Sequence, residues 1–205
     1  MLNLPNILTL LRVVMIPVFV ALFYYPTPRS NMIAAFVFVL AALTDLLDGY
    51  LARKLKQTTK FGAFLDPVAD KIMVCTALVL IVEYYSVHGR DFITDFSFNL
   101  LISIPAIVII SREILVSALR EWMAEIGKRA VVAVGKIGKW KTTIQMIAIA
   151  GLIWRHNNIM IYLATALLIV ATVLTIWSMI VYLKAGISNM LEPIEPSKPA
   201  ILRNK

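Results

Sequence analysis

The chain has 205 residues, 60% of them hydrophobic and 16% charged, with a mean hydropathy of +0.83. A soluble domain is only about half apolar, so this composition excludes an ordinary soluble enzyme and places the chain in a bilayer. The net charge of +8 suits anionic lipid headgroups or a phosphorylated substrate rather than nucleic acid, because no soluble domain is left to present it.

Taken in chain order, apolar runs at 7–25, 32–44, 72–87, 100–119, 142–154 and 159–183 predict six transmembrane helices. A span takes about 20 residues, so the shorter runs must be completed by their polar ends. The first run is broken by Arg12 and Pro17, the fourth by Ser103, Pro105, Ser111, Arg112 and Glu113. The opening segment lacks the basic start and small-residue cleavage site of a secretory signal and leads straight into an integral helix. The expected fold class is therefore an all-α integral membrane protein with a short N-terminal juxtamembrane segment. With the N-terminus inside, the outer connections near 26–30, 86–98 and 154–158 hold only Arg29, Arg90 and Arg155 of the 20 basic residues. That bias puts both termini in the cytoplasm. Residues 1–186 read as one membrane domain, and 187–205, with Pro193, Pro196 and Pro199 among polar residues, as a flexible cytoplasmic tail.

Cys75 stands alone, which rules out an internal disulfide and makes a buried, inert thiol the default. His88 and His156 fall on the outer side, and the tryptophans 122, 140, 154 and 177 read as interface anchors or packing. The chemistry concentrates between 45 and 70, in "DLLDGYLARKLKQTTKFGAFLDPVAD". Asp45 and Asp48 are three apart at the cytoplasmic end of the second helix and share a face with Gly49 and Ala52. Two carboxylates followed by two small residues leave room for a ligand to lie against the backbone, with the Arg53 fork at its margin suited to phosphate. Gly62, Asp66 and Asp70, four apart, form a comparable stripe at the start of the third helix.

Four carboxylates meeting at one membrane face repel one another unless cations neutralise them. With oxygen ligands only, the expected ions are hard ones, Mg²⁺ or Mn²⁺. Four negative charges match two divalent ions, the arrangement that serves phosphoryl displacement. Plainer readings stand beside this one. Asp66 before Pro67 is also an ordinary helix start, Pro67 interrupts a continuous stripe by removing a hydrogen bond, and Asp45 or Asp48 can serve as a simple partner of Arg53 or Lys56.

The pattern Asp45-x2-Asp48-Gly49-x2-Ala52-Arg53-x8-Gly62-x3-Asp66-x3-Asp70 resembles, without departure, the signature of the CDP-alcohol phosphotransferase family of membrane enzymes. "NLPNILTLLR" at 3–12, "FGAFLDPVADK" at 61–71, "SREILVSALREWMAEIGKR" at 111–129 and "GKWKT" at 138–142 resemble the bacterial branch that uses sn-glycerol 3-phosphate as acceptor. The resemblance implies a CDP-diacylglycerol donor, held from the cytoplasmic side of the bacterial inner membrane. It also implies that Asp45, Asp48, Asp66 and Asp70 hold two divalent metals, and that Gly49, Ala52, Arg53 and Gly62, with Asn6 and Thr9, surround the nucleotide. Asp66 and Asp70 would be the catalytic carboxylates, with Asp70 the candidate base that lets the acceptor hydroxyl displace CMP. A homodimer is implied as well.

The residues independently favour an anionic acceptor. Arg112 is a charge inside an apolar helix, which by default marks a function. Arg120 lies on roughly the same face, and Lys136, Lys139 and Lys141 open the fifth helix at that level. Together they suit the phosphate of sn-glycerol 3-phosphate, against the plain alternatives of an Arg112–Glu113 salt bridge and a solvated basic loop. Other acceptors, of the cardiolipin, inositol phosphate or serine type, remain within the same reaction class. A cation transporter with buried aspartates is the reading of a different kind. The absence of a repeat and the one-sided position of the aspartates count against it.

Overall fold

The computed structural model describes residues 3–25, 27–55, 59–88, 95–126 and 136–190, and among them every regular element is an α-helix. There are six: α1 (Leu4–Tyr24), α2 (Pro28–Leu55), α3 (Lys60–His88), α4 (Asp95–Glu125), α5 (Lys136–Trp154) and α6 (Asn158–Met190). Each predicted apolar run falls on one of them. The helices also extend past the runs: α2 continues from the end of its run at 44 to Leu55, and α3 begins at Lys60, well before its run opens at 72. The named positions of the aspartate motif, over 45–53 and 62–70, are therefore helical. Three helices are both long and apolar enough to cross a bilayer, over Asn6–Tyr24, Phe98–Glu125 and Asn158–Lys184. Among the described residues the fold is all-helical, with the long apolar helices expected of a membrane protein. The expected tail from 187 overlaps the end of α6, and 191–205 lie outside the described residues.

Helix α1 packs on α2 and α3, α2 on α5, α3 on α4, and both α4 and α5 on α6. The core they enclose is built from Phe19, Phe38, Leu78, Ile81, Ile102, Ile109, Ile149 and Leu152, all almost fully buried. Between these large side chains run small ones, Ala34, Ala77, Ala148 and Ala171. Lipid supplies no hydrophobic drive between helices, so close approach over small residues is what holds such a bundle together. The tightest case is α5 against α6, where a Cβ added at Gly151 would stand 2.8 Å from the Ala164 Cβ.

At the end of the bundle away from the aspartates, one residue joins four helices. Arg155, in the turn between α5 and α6, takes a left-handed backbone with φ 41° and returns its N–H to the Gly151 carbonyl at 3.0 Å. A non-glycine residue in that region is uncommon, and the side chain shows what holds it there. The guanidinium lies 3.7 Å from the Tyr84 ring centroid and 4.8 Å from that of Phe23, and it donates to Asn31 Oδ1 at 2.6 Å. Cation–π contacts of this kind contribute about 0.5–2 kcal/mol each. His88 stacks on the same Tyr84, and His156 lies beside Trp154, so both histidines are remote from the carboxylates, as expected.

Gly151→Val places three carbons where there is no room for one. The expected cost is about 1–3 kcal/mol, read as a lower thermal midpoint of the purified protein in detergent. An unchanged midpoint would mean that the α5–α6 approach is looser than described.

Candidate active site

The site is assembled from three helices. Thr59 precedes α3, and its Oγ1 accepts the Gly62 N–H at 3.0 Å, which is how a threonine caps a helix start. The helix thus begins upstream of Asp66, with Pro67 inside it. The reading of Asp66 as a cap is thereby corrected, and Gly62, Asp66 and Asp70 lie along one helix. The Thr59 hydroxyl also donates to Asn6 Oδ1 at 3.0 Å. A Cβ at Gly62 would come within 2.5 Å of that same oxygen, so glycine here permits α1 to lie directly on α3.

Three-residue steps along α1 bring Asn6, Thr9 and Arg12 to one side of the helix, and all three are buried. The Thr9 hydroxyl hydrogen-bonds Asp66 and stands 3.5 Å from Asp48 Oδ2. Arg12 spans the α2 pair: Nη1 donates to Asp45 Oδ1 at 2.6 Å and Nη2 donates to Asp48 Oδ2. Arg12 is only 1% exposed and Asp48 2%. The carboxylates of α2 therefore pair with an arginine from α1; the partnership with Arg53 or Lys56 that the sequence allowed falls on side chains outside the described residues. Lys56 lies outside the described residues. Gly49, Ala52 and Arg53 belong to the helical backbone of α2, and their side chains lie outside what is described.

A second cluster forms where α4 meets α5. Arg112 Nη1 pairs with Glu113, and Lys141 Nζ stands 3.8 Å from the same Glu113 Oε1. Lys141 is 1% exposed, and Arg112 Nε is a buried donor without a partner among the described residues. The salt bridge weighed from the sequence thus exists, and it draws in Lys141 as well. Arg120 does not join the cluster. It is exposed, with its guanidinium 6.0 Å from the Tyr182 ring on α6. Lys136 and Lys139 lie in the first turn of α5, and their side chains are outside the described residues.

Between α2, α5 and α6 lies a cavity of about 1340 Å³. Its walls are Phe36, Val39, Leu43, Ile147, Leu163, Leu167 and similar side chains, with Asp45, Asp70, Thr142 and Thr143 among the lining. On α2 the lining runs from Met32 to Asp45, a helical length of roughly 20 Å. A carboxylate pair thus closes one end of a long, oily recess.

Among the described residues, no three His, Cys, Asp or Glu side chains stand close enough together to hold one ion. The donor set nevertheless fits a hard divalent cation. It is carboxylate and hydroxyl oxygen only, and Thr9 brings an aspartate of α2 to one of α3. Sequence reasoning missed Arg12 and Thr59. Arg12 carries a usable signal, a charge inside an apolar run, but the run alone marks it only as an interruption.

Residues 2–177 match the CDP-alcohol phosphatidyltransferase family, and the chain belongs to that family. It is 55% identical over 193 residues to the CDP-diacylglycerol–glycerol-3-phosphate 3-phosphatidyltransferase of Haemophilus influenzae, covering 94% of this chain and 98% of that protein. The proteins of the same name from Pectobacterium atrosepticum and Yersinia enterocolitica are each 53% identical, over 93% and 94% of this chain and 98% and 99% of their own lengths.

Gly62→Ala drives a carbon into the Asn6 amide and must separate α1 from α3 or turn Asn6 away from Thr59. A loss of about 1–3 kcal/mol is expected, measured by thermal unfolding, with Ala63→Gly on the same helix as the comparison. A melting curve identical to the parent's would show that the α1–α3 approach has slack.

Proposed function

We propose that this chain transfers the phosphatidyl group of CDP-diacylglycerol to sn-glycerol 3-phosphate, releasing CMP and forming phosphatidylglycerophosphate for anionic phospholipid synthesis. The observation that carries the reading is the junction of two environments in one cavity: about 1340 Å³ of mostly apolar wall with Asp45 and Asp70 in its lining. That is a receptacle for a lipid with a multiply charged head. Its length of roughly 20 Å exceeds the ~15 Å of one leaflet's hydrocarbon, enough to take a donor acyl chain. The relatives' names supply the donor and the acceptor.

In this reading Asp45, Asp48, Asp66 and Asp70 hold two divalent ions, Mg²⁺ or Mn²⁺, and Asn6, Thr9, Gly49, Ala52, Arg53 and Gly62 surround the cytidine diphosphate. Bound divalent ions would neutralise the diphosphate and stabilise the charge that leaves with CMP. Arg112 and Lys141, gathered on Glu113, take the acceptor phosphate, with Arg120, Lys136 and Lys139 as the outer cations of the same site. The acceptor's free hydroxyl forms a bond to the β-phosphorus as the bond to the CMP oxygen breaks, and its proton passes to Asp70. All six helices span the bacterial inner membrane with both termini and the site on the cytoplasmic side, where the basic residues gather. Residues 1–186 form the membrane domain, 187–205 a cytoplasmic tail, and the working unit is a homodimer.

Purified protein given CDP-diacylglycerol and a panel of labelled acceptors should use glycerol 3-phosphate and release CMP, lose turnover in excess chelator, and lose it almost entirely in Asp66→Asn. Preference for inositol phosphate, serine or phosphatidylglycerol, or full turnover in chelator, would overturn the assignment.

Arg112→Ala should raise the KM for glycerol 3-phosphate at least tenfold while changing that for CDP-diacylglycerol little, since the guanidinium is assigned to the acceptor phosphate. Equal changes in both constants would reduce Arg112 to a structural partner of Glu113.

A further inference from the structure

Arg12 is one of the two most fully buried charged residues described, with Lys141, and none of the roles assigned above uses it. Its guanidinium takes one oxygen from each α2 aspartate, Asp45 Oδ1 at 2.6 Å and Asp48 Oδ2. Asp48 Oδ2 also lies 3.5 Å from Thr9 Oγ1, which hydrogen-bonds Asp66. The chain Asp45, Arg12, Asp48, Thr9, Asp66 is thus a continuous run of polar contacts across α1, α2 and α3. Both outer nitrogens of the buried Arg12 guanidinium are engaged by aspartates, so Arg12 acts on the reaction through the carboxylates it holds.

We propose that Arg12 is a positioning residue for the metal-binding carboxylates: its planar fork fixes the rotamers and spacing of Asp45 and Asp48. The chemistry of guanidinium favours this over a simple counter-charge. Arginine presents several donors in a rigid plane and engages two acceptors at fixed separation, whereas an ammonium is a point charge on a flexible stem. Geometry matters here because a divalent ion such as Mg²⁺ demands near-octahedral ligands at about 2.1 Å, and supporting contacts of ligands typically change metal affinity 10- to 100-fold. Arg12 also offsets one of the four negative charges, which lets α2 and α3 approach before any cation is bound.

The inference rests on the proposed metal role of the four aspartates, and the experiment separates the two. Mn²⁺ binding to the purified full-length protein is measured by electron paramagnetic resonance or calorimetry for the parent, Asp66→Asn, Arg12→Lys and Arg12→Gln, with metal-free thermal midpoints recorded for each. The expected result is a Mn²⁺ Kd at least tenfold weaker in both Arg12 variants, with Lys failing to rescue although it keeps the charge. A counter-charge role predicts the opposite: Arg12→Gln binds Mn²⁺ more tightly and Arg12→Lys binds it normally. A purely structural role lowers the midpoints and leaves Kd unmoved. Either outcome overturns the positioning role while the metal site stands. If the parent binds no Mn²⁺, or Asp66→Asn binds as well as the parent, the metal site and the inference fall together. Should Arg12→Gln not fold, Arg12→Lys alone decides.

Discussion

The repulsion among four carboxylates at the rim of an apolar bundle is the constraint that the rest of the structure answers. Two unit charges 4 Å apart interact by on the order of 4 kcal/mol at a dielectric constant of ~20, and burial of each without a partner costs more. Helices α2 and α3 can bring their pairs together only if positive charge and donors lie between them. Helix α1 supplies both, Arg12 toward α2 and Thr9 toward α2 and α3 at once. The packing of α1 on both neighbours is thus as much an electrostatic requirement as an apolar one. Gly62 and Thr59 serve the same end by allowing the start of α3 to lie against Asn6.

What the sequence made legible follows from what periodicity encodes. Long apolar runs announce helices whatever packs on them, so all six were readable. Spacing of three and four also gave the faces, putting Asp45 with Asp48 and Gly62 with Asp66 and Asp70. The start of α3 was open to misreading because two signals competed: Asp-Pro at 66–67 and Thr59 upstream. The structure resolves the competition through the Thr59 hydroxyl, which takes the Gly62 N–H and leaves Asp66 free to face α1. Arg112 with Glu113 was legible because the partners are adjacent. Arg12 with Asp45 and Asp48 was not, because the partners are 33 and 36 residues away and a helical face says nothing of which helix will cover it.

The two ends of the bundle solve different problems. At the aspartate end, charges of both signs are matched in buried pairs, and the geometry is fixed by hydrogen bonds between helices. At the other end, Arg155 is held by the rings of Tyr84 and Phe23 and by one amide oxygen, so among the described residues the charge is absorbed by aromatic faces and not by an acid. The cavity lies along α2 and α5, from Asp45 and Thr142 at one end to Met32 and Trp154 at the other. Its carboxylates and threonines, Asp45, Asp70, Thr142 and Thr143, are gathered at one end, with Asn157 at the other.

A carboxylate in the middle of a cation cluster looks counterproductive for a group proposed to hold an anion, yet Glu113 is what makes the cluster foldable. Arg112 and Lys141 lie deep against α4 and α5, and two buried cations without an acid would cost several kcal/mol each. Glu113 Oε1 accepts from the Arg112 guanidinium and stands 3.8 Å from Lys141 Nζ, which gathers both cations on one oxygen and leaves the trio with a net positive charge. Arg12 has the mirror role among the aspartates, a cation that pairs with Asp45 and Asp48, and it makes a group of anions tolerable while leaving it net negative. Each half of the site is therefore held together by one residue of the minority sign, and each keeps an excess of the majority sign. In the proposed reaction that excess is what draws cations to one half and the acceptor phosphate to the other, so the charge that stabilises the empty fold and the charge that recruits ligands come from the same residues.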